Sequence, residues 1–444
     1  MARERLVDDV RRREELLLMR IAMVSEHASP LAALSRTDAG GQNVHVLELS
    51  SALAAMGHDV TVWTRRDDPT LPDTVPLRPG VVVRHASAGP AEPLPRDELV
   101  PHLPAFTDTL KAAWATDRPD VVHAHFWMSG MVALAAAGGR IPVVETFHAL
   151  GSVTRRHQGS DDTSPEGRIR AELAVARTVD RVLATCTDEV FELARLGAPR
   201  RRISVVPCGV DTGLFTPEGP VARRSERPRL VSLGRLVRHK GVDEVIEALR
   251  RIPNAELVVA GGAQAGDPHA ERLRSHAEAA GVADRVRLIG PVGRNEVPAL
   301  LRSADAVVCV PWYEPFGIVP LEAMACARPV VASAVGGIQD TVVDQVTGVL
   351  VPPRRPDAVA AAVRDLLASP TRATAYGIAG HDRVLARYDW ERVAAATAAV
   401  YEEVIEVRNG HVRAAADPEP DVDRAEMDVD SVEMDGTKTA GAGR

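Results

Sequence analysis

Lysine is nearly absent from this 444-residue chain: it occurs only as Lys111, Lys240 and Lys438, so arginine carries almost all of the positive charge. Aromatic residues are also scarce, at 3%, and the cores must be built from Ala, Val, Leu and Ile, which a hydrophobic content of 45% supplies. There is no excess of basic charge, the formal net charge being −8, which argues against a nucleic-acid partner. The four cysteines, Cys186, Cys208, Cys309 and Cys326, are scattered without C-x-x-C spacing, so reduced cytosolic thiols are the default. No uninterrupted apolar run of about 20 residues is present, and no transmembrane helix is expected. The N-terminus, MARERLVDDVRRREELLLMR, is charged throughout and lacks the apolar centre of a signal peptide. A soluble, cytoplasmic protein is expected, with contact of the Arg-rich first helix with a membrane surface as the alternative. No G-x-G-x-x-G occurs, so a nicotinamide-binding fingerprint is unsupported.

What is present is a rhythm. Short β-branched runs alternate with helix-length segments, in the first half at 20–25, 59–64, 80–85, 120–125, 141–146, 181–186 and 202–207. The stretch 213–228 interrupts it with Pro, Gly and charge, and the rhythm restarts at 229–234, 256–262, 285–290, 305–311, 329–333 and 348–353. Such alternation implies parallel sheets covered on both faces. The chain therefore reads as a helical extension (1–19), a Rossmann-like domain (20–212), a linker (213–228), a second Rossmann-like domain (229–387), a last helix (388–410) and a tail (411–444). Over 414–444 the tail holds nine acidic and three basic residues with little apolar mass, a disordered composition.

Ligands of such sheets bind beyond the carboxyl ends of the strands, so residues just after strands draw attention. Gly40 and Gly41 open an amphipathic helix whose free N–H groups suit an anion, although a tight structural turn fits the spacing equally well. In GRLVRHKG (234–241), Arg235 and Lys240 follow a strand directly, where two cations can neutralise a diphosphate; a solvated basic turn is the bland alternative. In EPFGIVPLE, Glu314 and Glu322 lie eight residues apart across a loop-to-helix transition, and the backbone of Phe316, Gly317 and Ile318 forms the helix start. His123 and His125 share one side of a strand, but no third residue has metal-ligand spacing, so no metal is expected.

Together, in this order, the Gly40–Gly41 loop, HAHFWMSG (123–130), PCGVD (207–211), GRLVRHKG and EPFGIVPLE resemble glycosyltransferase family 4, over roughly residues 20–405. The resemblance implies the GT-B fold: two Rossmann-like domains facing across a cleft, with the C-terminal helix crossing back onto the first. It implies a retaining transferase that uses a nucleoside-diphosphate sugar as co-substrate, with no cofactor and no metal. In that reading Arg235 and Lys240 bind the donor diphosphate, Glu322 holds the ribose hydroxyls, and Glu314 with the Phe316–Gly317–Ile318 backbone contacts the donor sugar. Gly41 approaches the donor and Gly40 the acceptor, and His123 touches the transferred sugar. His148 resembles the family's post-strand histidine in the cleft, near the acceptor. Arg96 and Arg168 resemble basic positions that hold an acceptor phosphate in family members with phosphorylated acceptors. The acceptor stays open between a small molecule, a glycan and a lipid-linked molecule. A sugar-nucleotide epimerase of the same architecture, or a non-catalytic scaffold, remains as the reading of another class.

Overall fold

The computed structural model describes residues 18–35, 40–159, 162–262 and 266–410. The N-terminal extension lies outside them except for its last two residues, and the acidic tail lies outside them entirely.

The first domain is an eight-stranded sheet built from β1 (Arg20–Val24), β2 (Asp59–Arg65), β3 (Thr74–Arg78), β4 (Val81–Ala86), β5 (Val121–His125), β6 (Val143–Thr146), β7 (Arg181–Ala184) and β8 (Ile203–Val205), in the order β3-β4-β2-β1-β5-β6-β7-β8. The second holds β9 (Arg229–Leu233), β10 (Glu256–Ala260), β11 (Val286–Gly290), β12 (Ala306–Cys309), β13 (Val330–Ser333) and β14 (Gly348–Val351), in the order β11-β10-β9-β12-β13-β14. The central strands are mostly apolar and buried on both faces, as helix-covered parallel strands must be, with His123 and His125 of β5 among the polar exceptions in the first sheet's centre. One strand has no counterpart in the sequence reading. β3 pairs antiparallel with β4, and its TVPLR sequence alternates between half-buried and exposed positions. Its Pro76 fits only an edge, where a missing N–H costs no ladder bond.

In each sheet the strand order reverses beside the first strand of the domain, between β1 and β5 and between β9 and β12. The loops after these strands face a common cleft.

The helix Trp390–Asn409 leaves the second domain and packs on the first. Trp390, Val393, Ala394, Ala398, Tyr401 and Val404, at three- and four-residue spacing, form one apolar stripe. That stripe shares a core with Ile21, Met23, Val60, Val62 and Val121 of β1, β2 and β5. Asp389 caps its start by accepting from the Glu391 N–H at 2.9 Å. At its far end Arg408 pairs with Asp180 at 3.0 Å, and Arg181 with Glu403. Within the core, the Tyr401 hydroxyl is hydrogen-bonded to His123 Nδ1 at 2.6 Å, and His123 Nε2 meets the Thr146 hydroxyl at 2.9 Å.

Replacing Tyr401 by Phe would strip the buried His123 of a partner. The expected cost is about 1–3 kcal/mol, read as a lower denaturation midpoint at unchanged slope.

Candidate functional site

In the second domain, the turn after β9 is shaped by Gly241. Its φ is +75°, and a Cβ there would sit 1.9 Å from the Val310 carbonyl oxygen, so only glycine lets this turn press against the end of β12. That approach brings Lys240 Nζ to 2.5 Å from Glu314 Oε2, a pair that is mostly buried. Arg235 is exposed just beyond β9 and makes no hydrogen bond or ion pair with the described residues. The positive field is registered by His239, whose pKa falls to about 4 through burial first and then through Lys240 and Arg235.

Glu314 lies in the loop ahead of the helix Ile318–Ala325. The Gly336–Gly337 turn lies against this loop, and the Gly337 N–H donates to the Glu314 carbonyl oxygen at 2.9 Å. Side chains there are excluded, because a Cβ on Gly336 would lie 2.2 Å from that same oxygen. Gly317, with φ +79°, caps the helix, whose first N–H groups have no intrahelical acceptors. Glu322, within this helix, is buried, and burial pushes its carboxyl up to about 7 against the opposing pull of Arg294. The structure thus brings Lys240 and Glu314 together and places Glu322 one helix turn inward, with the Phe316–Gly317–Ile318 backbone between the two carboxylates.

The first domain contributes the opposite wall. Gln42, early in the helix Gly41–Ala55, donates to the Ser25 hydroxyl at 3.2 Å and to the His125 carbonyl oxygen at 3.1 Å, which ties that helix to β1 and β5. Gly40 is exposed, and its N–H donates to Asn43 Oδ1 at 3.0 Å. Gly41 lies against the second domain: a Cβ there would come within 3.2 Å of Ile318 Cδ1. His148 follows β6 with φ +60°, which turns its ring inward, and it is 6% exposed. Its Nε2 lies 3.0 Å from His125 Nδ1, while its Nδ1 is buried without a partner.

Two expectations change. His123 does not reach the cleft: it is 1% exposed, and both ring nitrogens are taken by Tyr401 and Thr146. Arg168 is likewise committed. It is 1% exposed, and it donates from Nε to Glu172 at 2.7 Å, from Nη1 to Ser164 at 2.9 Å and from Nη2 to the Ala149 carbonyl at 2.7 Å. Glu172 in turn accepts from the Gly151 N–H at 2.9 Å, so Arg168 and Glu172 fasten the loop behind His148, with three of the five guanidinium N–H groups engaged. Arg96 differs. Its side chain is 39% exposed, and its guanidinium lies 5.2 Å from the Phe126 ring, which Arg168 also covers at 5.0 Å.

Across the cleft, Arg294 of the second domain pairs with Glu48 of the first at 3.1 Å and stands 3.8 Å from Glu322. Phe316 packs between His45 and His148, with ring centroids 6.0 and 5.5 Å away. Asp340 accepts from the Thr187 N–H at 2.6 Å. The sequence reading missed Arg294, Glu48 and Tyr401. Arg294, in GPVGRNE after β11, has the same signal that singled out Arg235: a cation in a Gly-containing loop just after a strand. Among the described residues no group of three or more His, Cys, Asp or Glu is arranged to hold a metal ion, and no helix is long and apolar enough to cross a membrane.

This arrangement is that of the two-domain sugar transferases, and comparison with known proteins agrees. The model of Glycosyltransferase Family 4 matches residues 39–214, and that of Glycosyl transferases group 1 matches 219–383. A D-inositol 3-phosphate glycosyltransferase of Xylanimonas cellulosilytica is 39% identical over 401 residues, covering 86% of this chain and 96% of that protein. D-inositol 3-phosphate glycosyltransferase 2 of Catenulispora acidiphila is 37% identical, covering 88% and 96%. Among solved structures, sucrose-phosphate synthase from Thermosynechococcus elongatus superposes with a TM-score of 0.80 at 33% identity, covering 88% of this chain and all of that one. Anabaena HepE in complex with UDP-glucose shares the fold, with a TM-score of 0.67 at 19% identity and coverage of 87% and 100%. The chain belongs to glycosyltransferase family 4. It is an enzyme, a glycosyltransferase, and the epimerase and scaffold alternatives fall away.

The raised pKa of Glu322 gives a pH signature. A carboxyl near 7 is ionised above that pH and neutral below it, and on the expectation that Glu322 holds the ribose hydroxyls, only the ionised form offers them all its lone pairs. Affinity for a nucleotide sugar, whose diphosphate does not titrate in this range, is expected to fall about tenfold between pH 8 and pH 6. Calorimetric titration reads this, and in Glu322→Gln the pH dependence should vanish.

Proposed function

We propose that this glycosyltransferase takes a nucleoside-diphosphate sugar as donor and a phosphorylated cyclitol or sugar as acceptor, with retention of configuration and without a metal. The donor assignment is carried by the Lys240–Glu314 pair at 2.5 Å, set beside an exposed Arg235 and an open helix N-terminus at the carboxyl ends of β9 and β12. Cations and helix dipole supply the charge stabilisation that a diphosphate leaving group needs as its bond breaks. Glu322 holds the ribose, and Glu314, aligned by Lys240, holds the donor sugar. With His123 turned into the core, the histidine facing the sugar is His148.

In the proposed step, the bond between the anomeric carbon and the diphosphate oxygen breaks. The acceptor hydroxyl oxygen bonds that carbon on the same face, and its proton passes to the departing diphosphate. Retention without a covalent intermediate is supported by the engagement of Glu314 with Lys240, which leaves it a poor nucleophile. The phosphorylated acceptor is supported by relatives at 37–39% identity named for D-inositol 3-phosphate, and by the half-exposed Arg96 on the first-domain wall. A cytoplasmic location fits four unpaired cysteines.

Lys240→Ala and Glu322→Ala should each lower turnover by roughly 10²–10³-fold, the scale for losing one preorganised charge or hydrogen-bond group, without unfolding the protein. Excess EDTA should leave turnover unchanged; strict dependence on an added divalent ion would overturn the metal-free reading. The donor base can be found by thermal shift, since a ligand at 100 times its Kd stabilises by about 2.7 kcal/mol. For the acceptor, Arg96→Ala should raise the KM for a phosphorylated acceptor about tenfold and spare the donor KM. Equal KM values for phosphorylated and dephosphorylated acceptors would remove the phosphate from the proposal.

A further inference from the structure

His148 belongs to a group of four imidazoles, and the other three have not been given a purpose by the reaction. His45 meets the His148 ring edge-on at 5.0 Å, His125 lies at 5.2 Å from it, and His123 lies against His125 at 4.1 Å with the rings tilted by 37°. All four are buried. Burial lowers the pKa of His45 to about 4 and that of His123 to about 3, and it holds His125 and His148 well below the usual value, so the quartet is neutral at working pH.

A hydrogen bond between two neutral imidazoles needs one N–H and one lone pair, so the tautomers of His125 and His148 are complementary. Two arrangements are open. Either His125 donates from Nδ1 and His148 keeps its own proton on Nδ1, or His148 donates from Nε2 and its Nδ1 is a bare lone pair. In the free site each arrangement leaves one buried N–H and one lone pair without partners, on His148 Nδ1 and His125 Nε2; once a sugar oxygen meets His148 Nδ1, His125 Nε2 decides between them. In the second arrangement that nitrogen would carry an orphaned buried N–H, which is rarer and more costly than an orphaned acceptor. The first arrangement leaves only a lone pair there.

We propose that His125 is a positioning residue that orients His148 and fixes its tautomer through the 3.0 Å contact, so that His148 presents Nδ1–H as a hydrogen-bond donor to an oxygen of the transferred sugar. The partner is well held. The His125 ring is braced by His123, which Tyr401 and Thr146 pin at 2.6 and 2.9 Å, so the crossover helix reaches the site through two rings. The inference rests on the reading of His148 as the sugar-facing residue.

The test uses the full chain labelled with 15N-histidine, together with His125→Phe, His125→Asn and His148→Ala variants. In the wild type saturated with its nucleotide-sugar donor, UDP-glucose being the first probe, the nitrogen spectrum should show His148 protonated on Nδ1 and bare on Nε2; a proton on Nε2 in that complex overturns the proposal whatever the variants do. In His125→Phe the fixed tautomer should be lost, turnover should fall about 10- to 100-fold, as on loss of other oriented outer partners, and UDP affinity should stay put. His125→Asn places an amide donor near the old Nδ1 position and should restore both the tautomer and most of the turnover. An unchanged His148 tautomer in His125→Phe, or failure of Asn to rescue a folded protein, also overturns it. His148→Ala separates the two claims. Full turnover in that variant removes the sugar-facing reading, whereas a crippled His148→Ala beside a fully active His125→Phe removes only the role of His125.

Discussion

Every strand of a parallel sheet ends at the same edge, and in this protein two such edges are turned toward each other. The loops after β1, β5 and β6 on one side and after β9, β11 and β12 on the other have nowhere to open but the cleft. Glycine is what makes those loops tight enough to matter. Gly241 lets the Arg235–Lys240 turn touch the end of β12, and Gly336 and Gly337 let a second turn rest on the backbone of Glu314 and Pro315. The charged groups at the second-domain edge owe their proximity to these backbone approaches.

The two domains are held by contacts of two kinds. One is apolar: the stripe from Trp390 to Val404 shares a core with β1, β2 and β5. The others are polar, through Arg294 to Glu48 and Thr187 to Asp340. Glu322 sits beside the first of these, with Arg294 as the cation that opposes the cost of burying its charge. Arg294 is thereby shared between a contact that joins the domains and a carboxylate that, on the proposed reading, holds the ribose.

How much of this was legible in the sequence depended on range. Strands rich in Val and Ile announced themselves, and so did the loops that follow them. β3 did not, because an edge strand with Pro76 and only partial burial carries no apolar run. His123 and His125 share a face, as their spacing implies, but that His123 is held in the core depends on Tyr401, 278 residues away from it. Arg168 resembles a phosphate-holding cation in the sequence, yet Glu172 stands four residues on, at the spacing where a helix pairs them; burial at 1% converts that common surface pattern into a fixed strut. The position of Arg294 after β11 was readable, but its partner Glu48 lies on another domain, and no local pattern connects the two.

The pairing of the described cleft carboxylates with cations bears on how the reaction can run. Glu314 is joined to Lys240, burial keeps the four histidines from gaining protons, and Glu322 is drawn toward Arg294. On the proposed reading, the proton acceptor beside the anomeric carbon is the diphosphate the enzyme is helping to leave. Cations that stabilise that diphosphate also make it a weaker base, so the two needs oppose each other. A neutral imidazole resolves part of this conflict. It can steady an oxygen of the sugar by hydrogen bonding without adding a positive charge that would disfavour the cationic character growing at the anomeric carbon. Burial of the quartet is then a condition of the chemistry as well as of packing, because a protonated His148 would place charge where the transition state can least accommodate it.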